Sequence, residues 1–101
     1  MRVLLIVNPR ASSVTPRRQL QVHRLLAAHH EVRMVETERR GHATDLAAHA
    51  VDDGFDVVAV YAGDGTLNEA ANALIGTTVA LAPLPGGSTN VFARTLGLPD
   101  N

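Results

Sequence analysis

Phe55-Asp56-Val57-Val58-Ala59-Val60-Tyr61-Ala62-Gly63-Asp64-Gly65-Thr66-Leu67-Asn68-Glu69 reads as a strand, a glycine turn and the start of a helix. The run from Phe55 to Tyr61 is apolar and β-branched, the pattern of a parallel strand buried on both faces. Leu67, Ala70, Ala71 and Leu74 then recur at helical spacing, and Thr66 is expected to open that helix. Gly63 and Gly65 lie between the two elements, where they permit tight dihedrals and let a ligand approach the backbone. The helix start aims its free N–H groups and the positive end of its dipole at the turn, which suits an anion such as phosphate. Thr66 and Glu69 also fit a capping box. A plain tight turn would need glycines too, but not the Asp between them or the Thr-x-Asn-Glu that follows.

Working outward, the chain alternates strands and helices. Arg2 to Val7 reads as the first strand. Thr15-Pro16 supplies an N-cap and a proline at the first helical position, and Leu20, Val22, Leu25 and Leu26 form an apolar stripe through His29. Glu31 to Glu36 is a more polar second strand, suited to a sheet edge. Ala43 to Asp53 is the second helix, with Leu46, Ala47, Ala50 and Val51 inward and Gly54 as C-cap. Gly76 ends the third helix. Thr78 to Ala82 reads as a fourth strand, leading into Pro85-Gly86-Gly87 and a fourth helix that Gly97 and Pro99 close.

Strands joined by crossover helices imply an α/β fold with a doubly wound, Rossmann-like parallel sheet of four strands inside a three-layer α/β/α sandwich. A spatial order 2-1-3-4 lets the strands before Asn8 and Ala62 share a crevice, with 3-2-1-4 the other doubly wound choice. Ligands bind such sheets beyond the strand C-termini. Asn8, Thr37, Gly63 and Gly87 all fall there, which groups them into one expected site.

Composition narrows the function classes. A chain of 101 residues with 46% hydrophobic content can bury one modest core and leaves little room for two domains. Net charge is −1, so no broad field recruits nucleic acid or an anionic membrane. All the cationic side chains are arginine, and the doublets Arg17-Arg18 and Arg39-Arg40 read first as solvated helix or loop faces, with phosphate binding as the lesser alternative. No cysteine is present, which excludes disulfides and thiolate metal sites. His23, His29, His30, His42 and His49 show no metal spacing and read as solvated surface residues. The apolar run before Asn8-Pro9 is too short to span a bilayer, so a cytoplasmic location is the expectation.

Two further passages specify the chemistry. Pro85-Gly86-Gly87-Ser88-Thr89-Asn90-Val91-Phe92-Ala93-Arg94 is a second glycine turn opening a helix. Asn8-Pro9-Arg10-Ala11-Ser12 forms a third loop, directly after the first strand. With Ala62-Gly63-Asp64-Gly65-Thr66, these resemble the three nucleotide-site motifs of diacylglycerol kinase-type lipid kinases, in order and over nearly the whole chain. Ala62 stands where a first glycine is usual, and Ala11-Ser12 where Ser-Gly is usual. NAD kinases and phosphofructokinases share the glycine loop but not normally the Pro85–Arg94 motif. The loop is neither a P-loop nor a Rossmann G-x-G-x-x-G.

The resemblance implies ATP as the nucleotide, Mg²⁺ as its counter-ion and a lipid hydroxyl, of diacylglycerol or a sphingoid base, as acceptor. It implies nucleotide-binding residues at Asn8, Pro9, Arg10, Ala11, Ser12, Thr37, Ala62, Gly63, Asp64, Gly65, Thr66, Leu67, Asn68 and Ser88. Asn8 either touches nucleotide, bridges loops or closes an Asx-turn ahead of Pro9. Asp64 either binds Mg²⁺, directly or through water, or caps neighbouring amides. No catalytic base is assigned within this chain. Relatives of this type carry a second, largely β domain with the acidic residue thought to activate the acceptor and further magnesium ligands. Residues 1–101 therefore read as the N-terminal nucleotide-binding lobe of a longer enzyme. That lobe alone should be silent and should self-associate through the surface its partner domain would cover; membrane contact would be peripheral, through the missing domain. Val91 stands where many relatives have Asp, which leaves the acceptor lipid open. The alternatives are a NAD kinase-like phosphotransferase, a non-catalytic nucleotide-binding or regulatory module, and a purely structural α/β domain.

Overall fold

A computed structural model of the chain describes residues 1–12 and 14–84. The expected second glycine turn, the fourth helix, Gly87 and Ser88 lie outside the described residues. Seven elements follow in order: β1 (Arg2–Val7), α1 (Pro16–Ala27), β2 (Glu31–Glu36), α2 (His42–Asp52), β3 (Val57–Tyr61), α3 (Asp64–Leu74) and β4 (Ala80–Leu84). The strands form one sheet in the order β2-β1-β3-β4, and every pair is parallel. This is the first of the two orders expected.

Alternation along the central strands builds two cores. Val3, Leu5 and Val7 of β1, with Val57, Ala59 and Tyr61 of β3, pack against Val22 and Leu26 of α1 and against Val14. Leu4 and Ile6, with Val58 and Val60, pack on the opposite face against Ala43, Ala47 and Ala50 of α2 and Ala70 and Leu74 of α3. Thus α1 covers one face and α2 and α3 the other, giving the three layers. Both faces of β1 and β3 are filled, so their sequences are continuously apolar rather than alternating. The small alanines of α2 and α3 let these helices lie close to the sheet and to each other, and the Thr44 hydroxyl ties them by donating to the Glu69 carbonyl at 2.8 Å.

Several boundaries differ from the expectation for identifiable reasons. β3 starts at Val57 rather than Phe55, because Phe55 N–H donates to the Ala50 carbonyl and Asp56 N–H to the Arg2 carbonyl in the entering turn. β4 runs from Ala80 to Leu84 rather than Thr78 to Ala82. Thr77 explains the shift: its hydroxyl donates to the Leu74 carbonyl at 2.8 Å and accepts from Val79 N–H at 3.3 Å, holding residues 77–79 in a turn. The strand passes through Pro83, which lacks an N–H to donate; among the described residues β4 has β3 as its only partner strand, the edge position where proline is tolerated. Helix α3 begins at Asp64, not Thr66. Leu20 lies off the buried stripe of α1 and is 49% exposed, whereas Leu26 is fully buried.

These two leucines of one helix supply a stability test. Leu26→Ala should cost about 2–5 kcal/mol by removing buried methyl groups and leaving a cavity. Leu20→Ala should stay within about 0.5 kcal/mol of the parent chain. Urea denaturation of both variants measures this, and equal losses would contradict the layer assignment.

Candidate functional site

Parallel pairing sends the C-terminal ends of β1, β2 and β3 to one edge, where three loops meet. Asn8 follows β1, Thr37 follows β2, and Ala62-Gly63 follows β3. Asn8 N–H donates to the Tyr61 carbonyl at 3.2 Å, and Thr37 N–H donates to the Val7 carbonyl at 2.8 Å, so the ladder continues one step into each loop. The Asn8 side chain then performs two of its expected structural roles together. Its Oδ1 accepts from Arg10 N–H at 3.0 Å, closing the Asx-turn, and its Nδ2 donates to the Thr66 hydroxyl at 3.3 Å, bridging to α3.

That second bond corrects the reading of Thr66. No side chain caps α3, whose N-cap is Gly63 in an extended conformation (φ −82°, ψ −178°). The Thr66–Glu69 capping box does not form, because the helix has already begun at Asp64 and the Thr66 hydroxyl serves Asn8. The first turn of α3 therefore keeps backbone N–H groups that no side chain satisfies, together with the positive end of the helix dipole.

The two glycines act through space rather than through dihedral freedom. Positive φ among the described residues belongs to Gly41, Gly54 and Gly76, and not to Gly63 or Gly65. A Cβ at either Gly63 or Gly65 would meet nothing within 4 Å. The surface of this turn is thus bare backbone facing open space.

A cleft of about 330 Å³ opens beside it, lined by Asn8, Arg10, Thr37, Arg39, Arg40, Gly65, Thr66 and Glu69. Five of the expected nucleotide-binding residues meet here: Asn8, Arg10, Thr37, Gly65 and Thr66. Thr37 is buried to 5% exposure, unusual for a loop threonine and fitting for one wedged at the cleft floor. The cleft carries three arginines to one carboxylate. Arg39 is engaged by Asp45 and also donates to the Arg40 carbonyl at 3.4 Å. The hydrogen bond from Arg39 holds the Asp45 carboxyl below the ordinary carboxylate range.

Other expected residues take different places. Ala62, Asp64 and Leu67 line a smaller cleft of about 220 Å³ with Val60, Pro83 and Leu84, on the other side of the α3 N-terminus. Ala11 packs against the α1-side core and lines neither cleft. Pro9, Ser12 and Asn68 are exposed and line neither cleft. Ser88 lies outside the described residues. Among the described residues no group of three or more His, Asp or Glu side chains could hold a metal ion, so Asp64 has no protein partners for one there.

Arg39, Arg40 and Glu69 line the cleft without being among the expected nucleotide-binding residues, and the arginine doublet is exposed, as a solvated face would be. An arginine doublet after a polar edge strand reads as solvated, and all its chain neighbours are polar. The chain passes from this doublet into α2 through Gly41, whose backbone is left-handed (φ 83°).

A parallel doubly wound sheet carries, at its C-terminal edge, a glycine turn without a side-chain cap and a cleft lined by three arginines, an α/β arrangement whose helix N-terminus and charge suit an anion. The family model described as the diacylglycerol kinase catalytic domain matches residues 2–101. The chain belongs to that family. It is 34% identical over 102 residues to a diacylglycerol kinase of Staphylococcus saprophyticus subsp. saprophyticus, covering 97% of this chain and 33% of the relative. It is 33% identical over 104 residues to the diacylglycerol kinase of Staphylococcus aureus strain JH9, covering 99% of this chain and 33% of that protein. A crystal structure of a diacylglycerol kinase from Bacillus anthracis str. Sterne superimposes with a TM-score of 0.75 at 36% identity, over 99% of this chain and 38% of that one. The chain thus spans about a third of the length of the relatives it matches. No helix among the described residues is long and apolar enough to cross a membrane.

The spatial role of Gly65 makes a clear expectation. Gly65→Ala adds a Cβ into empty space within a helix and should stabilise the ligand-free chain by about 0.5–1 kcal/mol. Thermal melting measures it, and a loss of more than that amount would mean the turn does require glycine dihedrals.

Proposed function

We propose that residues 1–101 form the nucleotide-binding lobe of a diacylglycerol kinase-like lipid kinase, which transfers the γ-phosphoryl group of ATP to a lipid hydroxyl. The observation that carries this reading is the uncapped first turn of α3, with Gly65 and Thr66 opening onto a cleft that also presents Arg10, Arg39 and Arg40. Family membership supports the phosphotransferase class. ATP supplies the transferable phosphoryl group.

The residues of this chain would act by positioning and by charge. Backbone N–H groups of the α3 turn approach phosphate oxygens because no Cβ stands between them at Gly63 or Gly65. Arginine guanidinium groups neutralise the polyphosphate from the facing loop and hold it by directed hydrogen bonds. Thr37 and the Asn8–Thr66 pair keep the three loops in register, so the donors are already oriented when nucleotide arrives. Asp64 is the one carboxylate within the glycine turn, and a single carboxylate with phosphate oxygens and water completes a common Mg²⁺ shell. Placing Mg²⁺ at Asp64 requires no further protein ligand from the described residues. The acceptor, diacylglycerol or a sphingoid base, and the base that activates it belong to the remainder of the enzyme on this reading, as does any peripheral membrane contact.

Gly65→Asp tests it. The new carboxylate would occupy the space reserved for phosphate and repel it, while the fold bears no steric cost. In the full-length parent enzyme, ATP-dependent phosphorylation of diacylglycerol or sphingoid base should fall by at least about 100-fold, roughly the effect of removing an anion-stabilising group. The melting temperature should stay near that of the parent. Asp64→Asn should instead raise the magnesium concentration needed for half-maximal activity more than it raises the KM for ATP. Normal activity in Gly65→Asp would exclude this loop as the phosphate site.

A further inference from the structure

We propose that His42 is a positioning residue, whose ring nitrogen fixes the Glu38–Gly41 turn and so holds Arg39 and Arg40 at the phosphate cleft; this rests on the nucleotide reading of that cleft. Glu38 N–H donates to His42 Nδ1 at 3.0 Å. A donated N–H requires a lone pair on Nδ1, which puts the ring proton on Nε2. The turn is closed on itself by a second bond, from His42 N–H to the Arg39 carbonyl at 3.2 Å. Asp45, one turn further along α2, holds the Arg39 guanidinium, and Arg39 in turn donates to the Arg40 carbonyl.

These contacts pin a loop whose ends are held by Thr37 N–H on the Val7 carbonyl and by Asp45 N–H on the Gly41 carbonyl. Glu38, Arg39 and Arg40 are all exposed, so no apolar burial fixes their backbone. Gly41 turns the chain through left-handed dihedrals with no side chain of its own to restrain them. The first turn of α2 has no side-chain cap in the usual direction, in which the residue before a helix accepts from its amides. Here the polarity is inverted: the first helical residue reaches back and accepts from the loop ahead of it. His42 itself is half-buried, unlike the solvated histidine expected from the sequence, and its helix is fixed to α3 through Thr44 and the Glu69 carbonyl. A chain of contacts therefore runs from α3, through α2 and His42, to the arginine turn at the cleft.

Asparagine places an acceptor oxygen on Cγ, where histidine has Nδ1, whereas alanine places none. In the 101-residue chain, His42→Ala should weaken Mg-ATP binding by calorimetry about tenfold, the equivalent of one hydrogen bond to a charged group. It should also speed hydrogen exchange of the Glu38 amide, with circular dichroism of the folded chain unchanged. His42→Asn should restore both affinity and protection. If the wild type binds Mg-ATP and His42→Ala binds equally well, or if His42→Asn fails to rescue, the positioning role is overturned while the nucleotide reading stands. If the wild type itself binds no Mg-ATP, the nucleotide reading falls and takes this role with it.

Discussion

Parallel pairing of β1 with β3 puts Val7 beside Tyr61, so the residues that follow each strand emerge next to one another at the same sheet edge. The cleft depends on that pairing. Asn8 is within reach of Thr66, 58 residues along the chain, only because the two strands run in the same direction and in that register. An antiparallel pair would send the Asn-Pro loop and the glycine turn to opposite ends. The pairing is enforced by burial on both faces: Leu5, Ile6, Val58 and Val60 are essentially inaccessible, and a one-residue slip would exchange the faces of every side chain.

From this constraint comes a division of labour around α3. Its glycine turn leaves bare backbone, and its N-terminus is free of side-chain caps, which is a local deficit in hydrogen bonding. Such deficits are usually removed by Ser, Thr, Asp or Asn at the N-cap. Thr66 is close in sequence but turned to Asn8. A helix left uncapped beside three arginines is better suited to an anion than to itself, and the small clefts on its two flanks differ in character: one lined by arginines, the other by Val60, Ala62, Leu67, Pro83 and Leu84 around Asp64.

Much of the fold was legible because the deciding signals were local. The bounds of β1 and β2 match the sequence reading residue for residue, since Asn8-Pro9 and the His29-His30 pair interrupt the apolar pattern abruptly. The Thr15 cap on Arg18 N–H and the proline after it also form as expected. The misreadings arose where a distant partner outcompeted a local one. Thr66-x-x-Glu69 is a sound capping box in isolation, but Asn8 claims the hydroxyl. Thr78 looks like strand, but the Thr77 hydroxyl closes a turn first. Around the cleft, Asn8 and Thr37 could be placed from strand ends and Gly65 from the glycine turn after β3, whereas Arg39 and Arg40 could not, because their place at the cleft is set by a left-handed glycine and by side chains of α2.

The central claim is that phosphate binds at the C-terminal edge of the sheet, at the α3 turn. A larger groove of about 420 Å³ lies at the opposite edge, lined by Arg2, Glu31, Val32, Arg33, Asp53 and Phe55, and it provides an internal control. There the Arg2 guanidinium is already committed to Glu31, to the Asp53 carbonyl and to the face of Phe55. The most direct measurement is a titration of the ¹⁵N-labelled chain with Mg-ATP, followed through its backbone amide resonances. The account predicts shifts centred on Asn8, Thr37 and Gly63 to Thr66, with Val32 and Phe55 unmoved; shifts centred on Val32 and Phe55, or none at all, would contradict it.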